Sequence, residues 1–256
     1  MNTQDISKEW IDTFNHLGGE GKLKAPVDYH AIFEADELFG KKLYTLPMGY
    51  ITLPTGRIFA CDPLTHLAAV DNKTYIRTVD PGTYPIETKV AELDTDYYRY
   101  VLTRVLFKNT KPVQYELALK GHEDLSELED GESYIGFPVD AGLATIVDED
   151  TVRAYREFDH QWYEQHPDGN IYDDYFDELF KLNAIAYPKF QRPGGDWINF
   201  KIPNTDLYVP MIQSGFGDGL YPVYWAFDEA GDICQIIIEF ISCSSNESVS
   251  YTHLTL

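Results

Sequence analysis

Residues 221–240, YPVYWAFDEAGDICQIIIEF, decide the fold of this chain. Two runs of β-branched and aromatic residues, 221–227 and 233–240, flank the loop Asp228-Glu229-Ala230-Gly231, which is the pattern of a β-hairpin. The second run is apolar almost without alternation, as is typical of a strand that is covered on both faces. We therefore predict that residues 233–240 form a strand in the middle of a sheet.

The same sequence pattern of short apolar runs extends from this hairpin toward the N-terminus. Short β-branched and aromatic runs fill residues 43–147, separated by turn signals at a spacing of roughly ten residues, and they resume at residue 197. This pattern is typical of a meandering antiparallel sheet. The sequence Leu53-Pro54-Thr55-Gly56 predicts a tight hairpin turn. The further candidate strands are 50–53, 57–61, 75–79, 84–90, 98–107, 113–119, 134–139, 143–147, 197–202 and 208–213.

Amphipathic helices are predicted at the N-terminus and in the middle of the chain. Apolar residues between Ile6 and Leu17 recur at three- or four-residue spacing, which predicts a helix over 3–17. A weaker pattern of the same kind predicts a second helix over 28–39. Two further apolar stripes predict a pair of helices, one near 152–162 and one over 173–186.

Strands on both sides of one helical pair favour a single domain. The predicted architecture is α+β, β-rich and mostly antiparallel over residues 43–241, with the helical pair inserted at 148–187. Residues 1–42 are predicted to be a peripheral helical extension. Residues 242–256 are polar and have no pattern, so we predict a disordered tail, whose end at 249–256 looks like read-through of adaptor sequence.

The charge of the chain excludes several classes of partner. Forty-two Asp and Glu residues against 20 Lys and Arg give a net charge of −22, which repels nucleic acids and anionic lipid surfaces. No apolar stretch reaches the roughly 18 residues of a membrane span, and the first residues lack a signal-peptide pattern. Cys61, Cys234 and Cys243 form no CxxC pair. We therefore predict a cytoplasmic protein with no nucleic-acid or membrane partner.

The recognisable cofactor motifs are incomplete. The run Gly215-Phe216-Gly217-Asp218-Gly219 is followed by Leu220, where a dinucleotide fingerprint needs its third glycine, and by a predicted strand instead of a helix. The seven histidines never occur at the i, i+4 spacing of a zinc-binding helix. The sequence therefore carries no haem, nucleotide or zinc signature.

Three aspartates at predicted strand ends are the candidate catalytic and metal-binding residues. Asp62 precedes a proline, Asp140 precedes Ala141-Gly142, and Asp218 lies between two glycines. Loops held by a rigid sheet often carry function, and carboxylate oxygens suit hard cations such as Mg²⁺, Mn²⁺ or Ca²⁺ as well as acid–base chemistry. The alternative is that each aspartate only forms its own turn or caps a helix.

Four ordered motifs resemble a known family. Over about residues 49–240, the chain resembles the bacterial domain-of-unknown-function family 4241. The resemblance implies a fold shared with other uncharacterised cytosolic proteins, and it implies no activity. The motifs are Leu53-Pro54-Thr55-Gly56-Arg57-Ile58 with Cys61-Asp62-Pro63-Leu64, then Pro81-Gly82-Thr83-Tyr84-Pro85, then Val139-Asp140-Ala141-Gly142, and finally residues 214–225, SGFGDGLYPVYW.

Two hypotheses of different classes follow, and both require distant loops to meet at one hollow. The first is a binding or regulatory module that engages a protein or a small-molecule ligand through aromatic side chains and exposed backbone. The alternative is a metal-assisted hydrolase in which Asp62, Asp140 and Asp218 hold the ion. The sequence leaves enzymatic activity and oligomeric state open. The candidate ligand-binding residues are Gly215, Gly217, Asp218, Gly219, Tyr221 and Tyr224.

Overall fold

The computed structural model describes residues 6–69, 72–128 and 134–243, so most of the predicted tail lies outside the described residues. The described chain is mainly antiparallel sheet with few helices, which confirms the predicted α+β, β-rich class. The α-helices are α1 (Lys8–Gly19), α2 (Tyr29–Glu34), α3 (Glu149–Gln165) and α4 (Asp177–Ala186). The strands are β1 (Glu37–Leu38), β2 (Lys41–Leu53), β3 (Ile58–Cys61), β4 (Gly82–Asp94), β5 (Tyr97–Leu106), β6 (Pro112–Leu117), β7 (Phe137–Val139), β8 (Leu143–Asp148), β9 (Trp197–Lys201), β10 (Tyr208–Gln213), β11 (Gly219–Tyr221), β12 (Val223–Asp228) and β13 (Ile233–Glu239).

The largest sheet has seven strands in the order β1-β2-β4-β5-β13-β12-β6. β13 pairs with β5 on one side and with β12 on the other, so the apolar strand lies inside the sheet as predicted. The hairpin turn before β13 is held by the Asp228 carboxylate, which accepts hydrogen bonds from the backbone N–H groups of Ala230 and Asp232, both at 3.0 Å. Gly231 has a φ of 78° in this turn, a conformation that glycine adopts without strain. The predicted hairpin is therefore confirmed.

Two apolar cores cover the two faces of this sheet. Side chains alternate along a strand, so Ile236 and Ile238 of β13 join one core and Ile237 joins the other. The first core is shared with the four-stranded sheet and contains the fully buried Trp225. The second core contains apolar side chains of α1 and α2, including Leu17 and Phe33. Burial on both faces is the reason that β13 needs no polar alternation.

A four-stranded sheet, in the order β3-β8-β10-β9, positions the loops that the sequence singled out. All its strand pairs are antiparallel, so the end of β3, the start of β8 and the end of β10 lie at the same edge. The register confirms this arrangement, because Cys61 is opposite Thr145 and Gln213 is opposite Leu143. A third, two-stranded sheet pairs β11 with β7 in antiparallel orientation.

The turn at residues 53–56 does not form the predicted hairpin. β2 belongs to the seven-stranded sheet, whereas β3 pairs with β8 in the four-stranded sheet. The turn is fixed from a distance by the buried Asp148 carboxylate, which accepts hydrogen bonds from the N–H groups of Thr55 (3.1 Å) and Gly56 (2.9 Å). The turn therefore carries the chain from one sheet to the other.

Residues 75–79, predicted as a strand, are irregular. The N–H of Tyr75 donates to the carbonyl of Ile58 and the N–H of Ile76 donates to the carbonyl of Leu119, each at 2.9 Å. Consecutive residues thus bond to different segments, and no ladder forms. The strand predicted over 134–139 is shorter than expected, since only β7, Phe137–Val139, forms.

The helices differ from prediction mainly at their ends. The helix predicted over 28–39 ends at Glu34, because residues 37–38 pair with β2 as β1. The predicted helical pair is present as α3 and α4, and α4 is preceded by a π-helical turn at Tyr172–Phe176. In the described parts of the chain, no helix combines the length and the apolar composition needed to cross a membrane.

A buried pair of threonines joins β4 to β5 and provides a test of the sheet. The hydroxyls of Thr88 and Thr103 lie 2.7 Å apart, and neither side chain is exposed. We expect Thr88→Val to lower the free energy of unfolding in urea by about 2 kcal/mol, because it leaves the Thr103 hydroxyl buried without this partner. The exposed pair of Thr52 and Thr83 in the same sheet, 3.3 Å apart, provides the control. Thr52→Val should change stability by no more than about 0.5 kcal/mol, and equal losses in the two variants would contradict the assigned burial.

Candidate functional site

The loops that carry the three candidate aspartates meet in the structure. The Asp62 carboxylate accepts hydrogen bonds from the N–H groups of Asp140 (3.0 Å) and Ala141 (2.6 Å). The carbonyl of Gly142 accepts a hydrogen bond from the N–H of Ser214 at 3.0 Å, which attaches the glycine-rich loop to the same edge. The backbones of these loops are therefore adjacent to one another.

The three carboxylate groups themselves do not form one site. Asp62 is fully buried, and its second oxygen accepts the N–H groups of Leu64 (2.9 Å) and Thr65 (3.2 Å), so four backbone donors occupy it. Asp140 is exposed and lies 3.7 Å from Nε2 of His66, and Asp218 is exposed. Among the described residues, no group of three or more histidine, cysteine, aspartate or glutamate side chains could hold a metal ion. Asp62 therefore acts as the structural tie of two loops.

The glycine-rich loop is held closed by its own neighbours. The Ser214 hydroxyl donates to the carbonyl of Gly217 at 2.8 Å, and the Tyr221 hydroxyl donates to the same carbonyl at 2.5 Å. Gly215 and Gly217 have φ values of 43° and 111°, which explains why glycine occupies both positions.

The six candidate ligand-binding residues do not surround one cavity. Gly215 and Gly217 line a cavity of about 180 Å³, together with Arg99 and Arg192. Tyr221 and Tyr224 line a different cavity of about 660 Å³. Asp218 and Gly219 are exposed at the surface.

A third cavity, of about 530 Å³, has a different electrostatic character. Five of its lining side chains are cationic and one, Glu149, is anionic. We call this cavity the basic cavity. The residues that line it are Ile6, Arg57, Phe59, Asn72, Lys73, Thr74, Tyr75, Ile76, Lys120, Gly121, Glu149, Val152, Arg153 and Arg156.

Four separate segments, together with Ile6, build the basic cavity. Helix α3 contributes a stripe at i, i+3, i+4 and i+7, running from Glu149 to Arg156, which lies on one face of the helix. Asp148 caps this helix, since its carboxylate accepts the N–H of Asp150 at 2.9 Å. Residues 57–59 at the start of β3, the irregular segment 72–76, and the pair Lys120 and Gly121 complete the wall.

The arginines of the cavity are neutralised to different degrees. Arg57 pairs with Glu149, and Arg153 pairs with Asp150. Arg156 instead donates to backbone carbonyl groups, with Nε at 3.2 Å from the oxygen of Ala68 and a second bond to Ala69. Carbonyl groups orient a guanidinium without cancelling its charge, and no carboxylate among the described residues pairs with Arg156. Its full positive charge therefore acts on the cavity.

Lys120 has an unusual setting for a lysine. Its Nζ lies 5.2 Å from the ring centroid of Phe59 and 6.0 Å from that of Tyr75, and within the described chain it has no ion pair. The adjacent Glu123 carboxylate is occupied by the N–H groups of Lys120, Gly121 and His122. Burial lowers the pKa of the Lys120 ammonium, and the nearby Cys61 and Glu123 oppose this shift only in part.

A family model described as a protein of unknown function, DUF4241, matches residues 51–238. The chain belongs to the DUF4241 family. The resemblance inferred from the four sequence motifs is therefore confirmed. No curated protein and no solved structure gives a significant match.

The basic cavity lies almost entirely inside the DUF4241 domain. Of its lining residues, only Ile6 falls outside the matched range of 51–238. The sequence reasoning missed this site because its cations are scattered along the chain. The available signal was local to α3, where Arg153 and Arg156 follow Glu149 on one helical face.

Proposed function

We propose that this DUF4241 protein is a binding module for a small organic anion, which it holds in the basic cavity. The observation that carries the proposal is the concentration of cations: five of the 20 Lys and Arg residues of the chain line this one cavity. The chain as a whole carries a net charge of −22. The acidic surface of the chain repels anions in general. A cavity lined by cations attracts a small anion locally in spite of this repulsion.

The lining of the cavity also suits an organic ligand. Phe59, Tyr75, Ile76 and Val152 provide an apolar wall beside the cations. Sites for small molecules commonly combine apolar walls with a few fixed polar groups in a volume of roughly 300–1,000 Å³. The volume of about 530 Å³ lies within that range. Phosphate or carboxylate groups are the natural partners of guanidinium side chains, which bind them through paired hydrogen bonds.

Pyrophosphate serves as the probe for this proposal. At a concentration of about 100 times its dissociation constant, a ligand of the folded state adds about 2.7 kcal/mol of stability. For a chain of this size, that gain corresponds to a rise in melting temperature of roughly 5–10 °C. Sodium chloride at the same ionic strength is the control. A saturable rise with pyrophosphate supports the proposal, and a rise no larger than the one with chloride contradicts it.

The cellular setting belongs to the same proposal. Cys61, Cys234 and Cys243 are all free and buried, which fits a reducing compartment such as the cytoplasm. A regulatory role would follow if binding of the anion changed the affinity for a protein partner. Metal-assisted hydrolysis by Asp62, Asp140 and Asp218 gains no support from the geometry, because backbone donors occupy Asp62.

A further inference from the structure

Lys120 differs from the other cations of the basic cavity in its surroundings. Arg57 and Arg153 pair with carboxylates, and Arg156 is bound to backbone carbonyls. The Lys120 amine instead faces two aromatic rings, and it lines the cavity without an ion pair among the described residues. If the only role of Lys120 were to balance negative charge, a carboxylate partner would stabilise its ammonium group more than two aromatic rings do.

We infer that Lys120 is a nucleophile that forms an imine with a small anionic aldehyde or keto acid held in the basic cavity. The inference rests on the proposed function, because the cationic groups of the cavity would hold the anionic end of that compound. The carbonyl end would then lie against the apolar wall, where the Lys120 amine is located.

The proposed step balances without an oxidant or a reductant. The lone pair of the neutral Lys120 nitrogen attacks the carbonyl carbon and forms a C–N bond, and a proton moves from nitrogen to the carbonyl oxygen. Loss of water then breaks the C–O bond, so that the two amine hydrogens leave with the oxygen and a C=N bond remains. Lysines in desolvated pockets react in this way because a larger fraction of the amine is neutral.

Burial is the largest influence on the pKa of Lys120, and it lowers that pKa. The Cys61 thiol and the Glu123 carboxylate are the two that favour the ammonium form. Burial raises the pKa of the Cys61 thiol, which keeps that group neutral. The Glu123 carboxylate accepts hydrogen bonds from three backbone N–H groups of residues 120–122. These hydrogen bonds partly offset the effect of its negative charge on the Lys120 amine. Burial outweighs both groups and lowers the pKa of Lys120.

Reductive trapping with glyoxylate tests the inference. Glyoxylate carries an aldehyde and a carboxylate, and sodium cyanoborohydride converts its imine with lysine into a stable carboxymethyl-lysine. Mass spectrometry of peptides then measures the modification of each lysine. We expect roughly tenfold more modification of Lys120 than of Lys73, because binding of the carboxylate holds the aldehyde beside Lys120. Lys73 is the internal control, since it lines the same cavity but is exposed.

Two further experiments test whether the basic cavity directs the trapping of Lys120. Pyrophosphate should protect Lys120 from glyoxylate, because both compounds would occupy the same cationic groups. Acetaldehyde has no anionic group and should show no preference for Lys120. Preferential trapping that pyrophosphate leaves unchanged, or an equal preference with acetaldehyde, would show that the cavity does not direct the reaction.

A pair of matched variants separates the amine from its charge. Lys120→Arg keeps a cation in the cavity but removes the primary amine, so it should retain stabilisation by pyrophosphate and lose the trapped adduct at position 120. Lys201→Arg, at a lysine that pairs with Asp206 outside the cavity, should leave the modification of Lys120 unchanged. Equal modification of Lys120 and Lys73 in the wild-type protein, with pyrophosphate binding intact, overturns the inference and leaves the binding proposal in place. Failure of pyrophosphate to stabilise the wild-type protein overturns the binding proposal instead.

Discussion

Asp62→Ala is expected to lower the free energy of unfolding by about 4 kcal/mol, because each hydrogen bond to a charged group contributes roughly 1.5–3 kcal/mol. The wild-type carboxylate accepts four backbone N–H groups and has no exposed surface. Two of these donors belong to the turn after β3, and two belong to the loop before β8. The substitution therefore leaves donors from two loops without an acceptor, and it separates the loops that Asp62 holds together.

Urea denaturation measures this loss in the free energy of unfolding. Two further variants show whether the loss comes from the hydrogen bonds of the Asp62 carboxylate. Asp62→Asn keeps the shape but replaces one acceptor oxygen with a donor, so it should lose at least about half as much stability as the alanine variant. Asp218→Ala removes an exposed carboxylate from the same edge and should change stability by no more than about 0.5 kcal/mol. A loss below about 1 kcal/mol in Asp62→Ala would rule out the structural role of this residue.

Arg156→Met should weaken the binding of pyrophosphate by roughly 10–100-fold, which corresponds to about 1.5–3 kcal/mol for a charged hydrogen-bonding group. Arg156 is chosen because its guanidinium is oriented by the carbonyls of Ala68 and Ala69 and is not paired with a carboxylate in the described chain. Methionine retains much of the length of the side chain and removes the charge. Isothermal titration calorimetry gives the two dissociation constants directly.

Lys201→Met is the matched control for this loss of charge. Lys201 pairs with Asp206 at 2.8 Å on β9 and does not line the basic cavity. The Lys201→Met substitution changes the net charge of the protein by the same amount as Arg156→Met. It should therefore leave the affinity for pyrophosphate within about twofold of the wild-type value at moderate salt. Equal weakening in the two variants would mean that the net charge, and not the cavity, governs binding. The melting temperature of each variant without ligand shows that the fold is retained.

Local patterns predicted the parts of the fold that local physics determines. The hairpin of β12 and β13 was predictable because its turn contains its own Asp228 acceptor and a glycine with positive φ. The turn at 53–56 was misassigned because its acceptor, Asp148, lies more than 90 positions away in the sequence. Gly56 is required in this turn, since a Cβ atom there would lie 1.9 Å from the carbonyl oxygen of Val79. No pattern within the turn itself indicates that strand β3 pairs with β8.

The candidate site illustrates the same limit. Antiparallel pairing brings the loops of Asp62 and Asp140 to one edge of the sheet, but the three aspartates do not line the common hollow that was expected. The direction of each carboxylate depends on which backbone donors surround it, and the sequence does not contain that information. The basic cavity was missed for a related reason, since its cations come from segments near positions 57, 73, 120 and 153–156. Only the tertiary fold places them together.

X-ray diffraction from crystals that contain selenate shows where the protein binds an anion. Selenate mimics a phosphate or sulfate group, and its anomalous signal locates the anion without ambiguity. We expect an anomalous peak inside the basic cavity, within hydrogen-bonding distance of Arg156 or Lys120, that disappears in crystals of the Arg156→Met variant. Selenate bound only at other surfaces, with the cavity empty at a concentration that stabilises the protein in solution, would show that the basic cavity is not an anion-binding site.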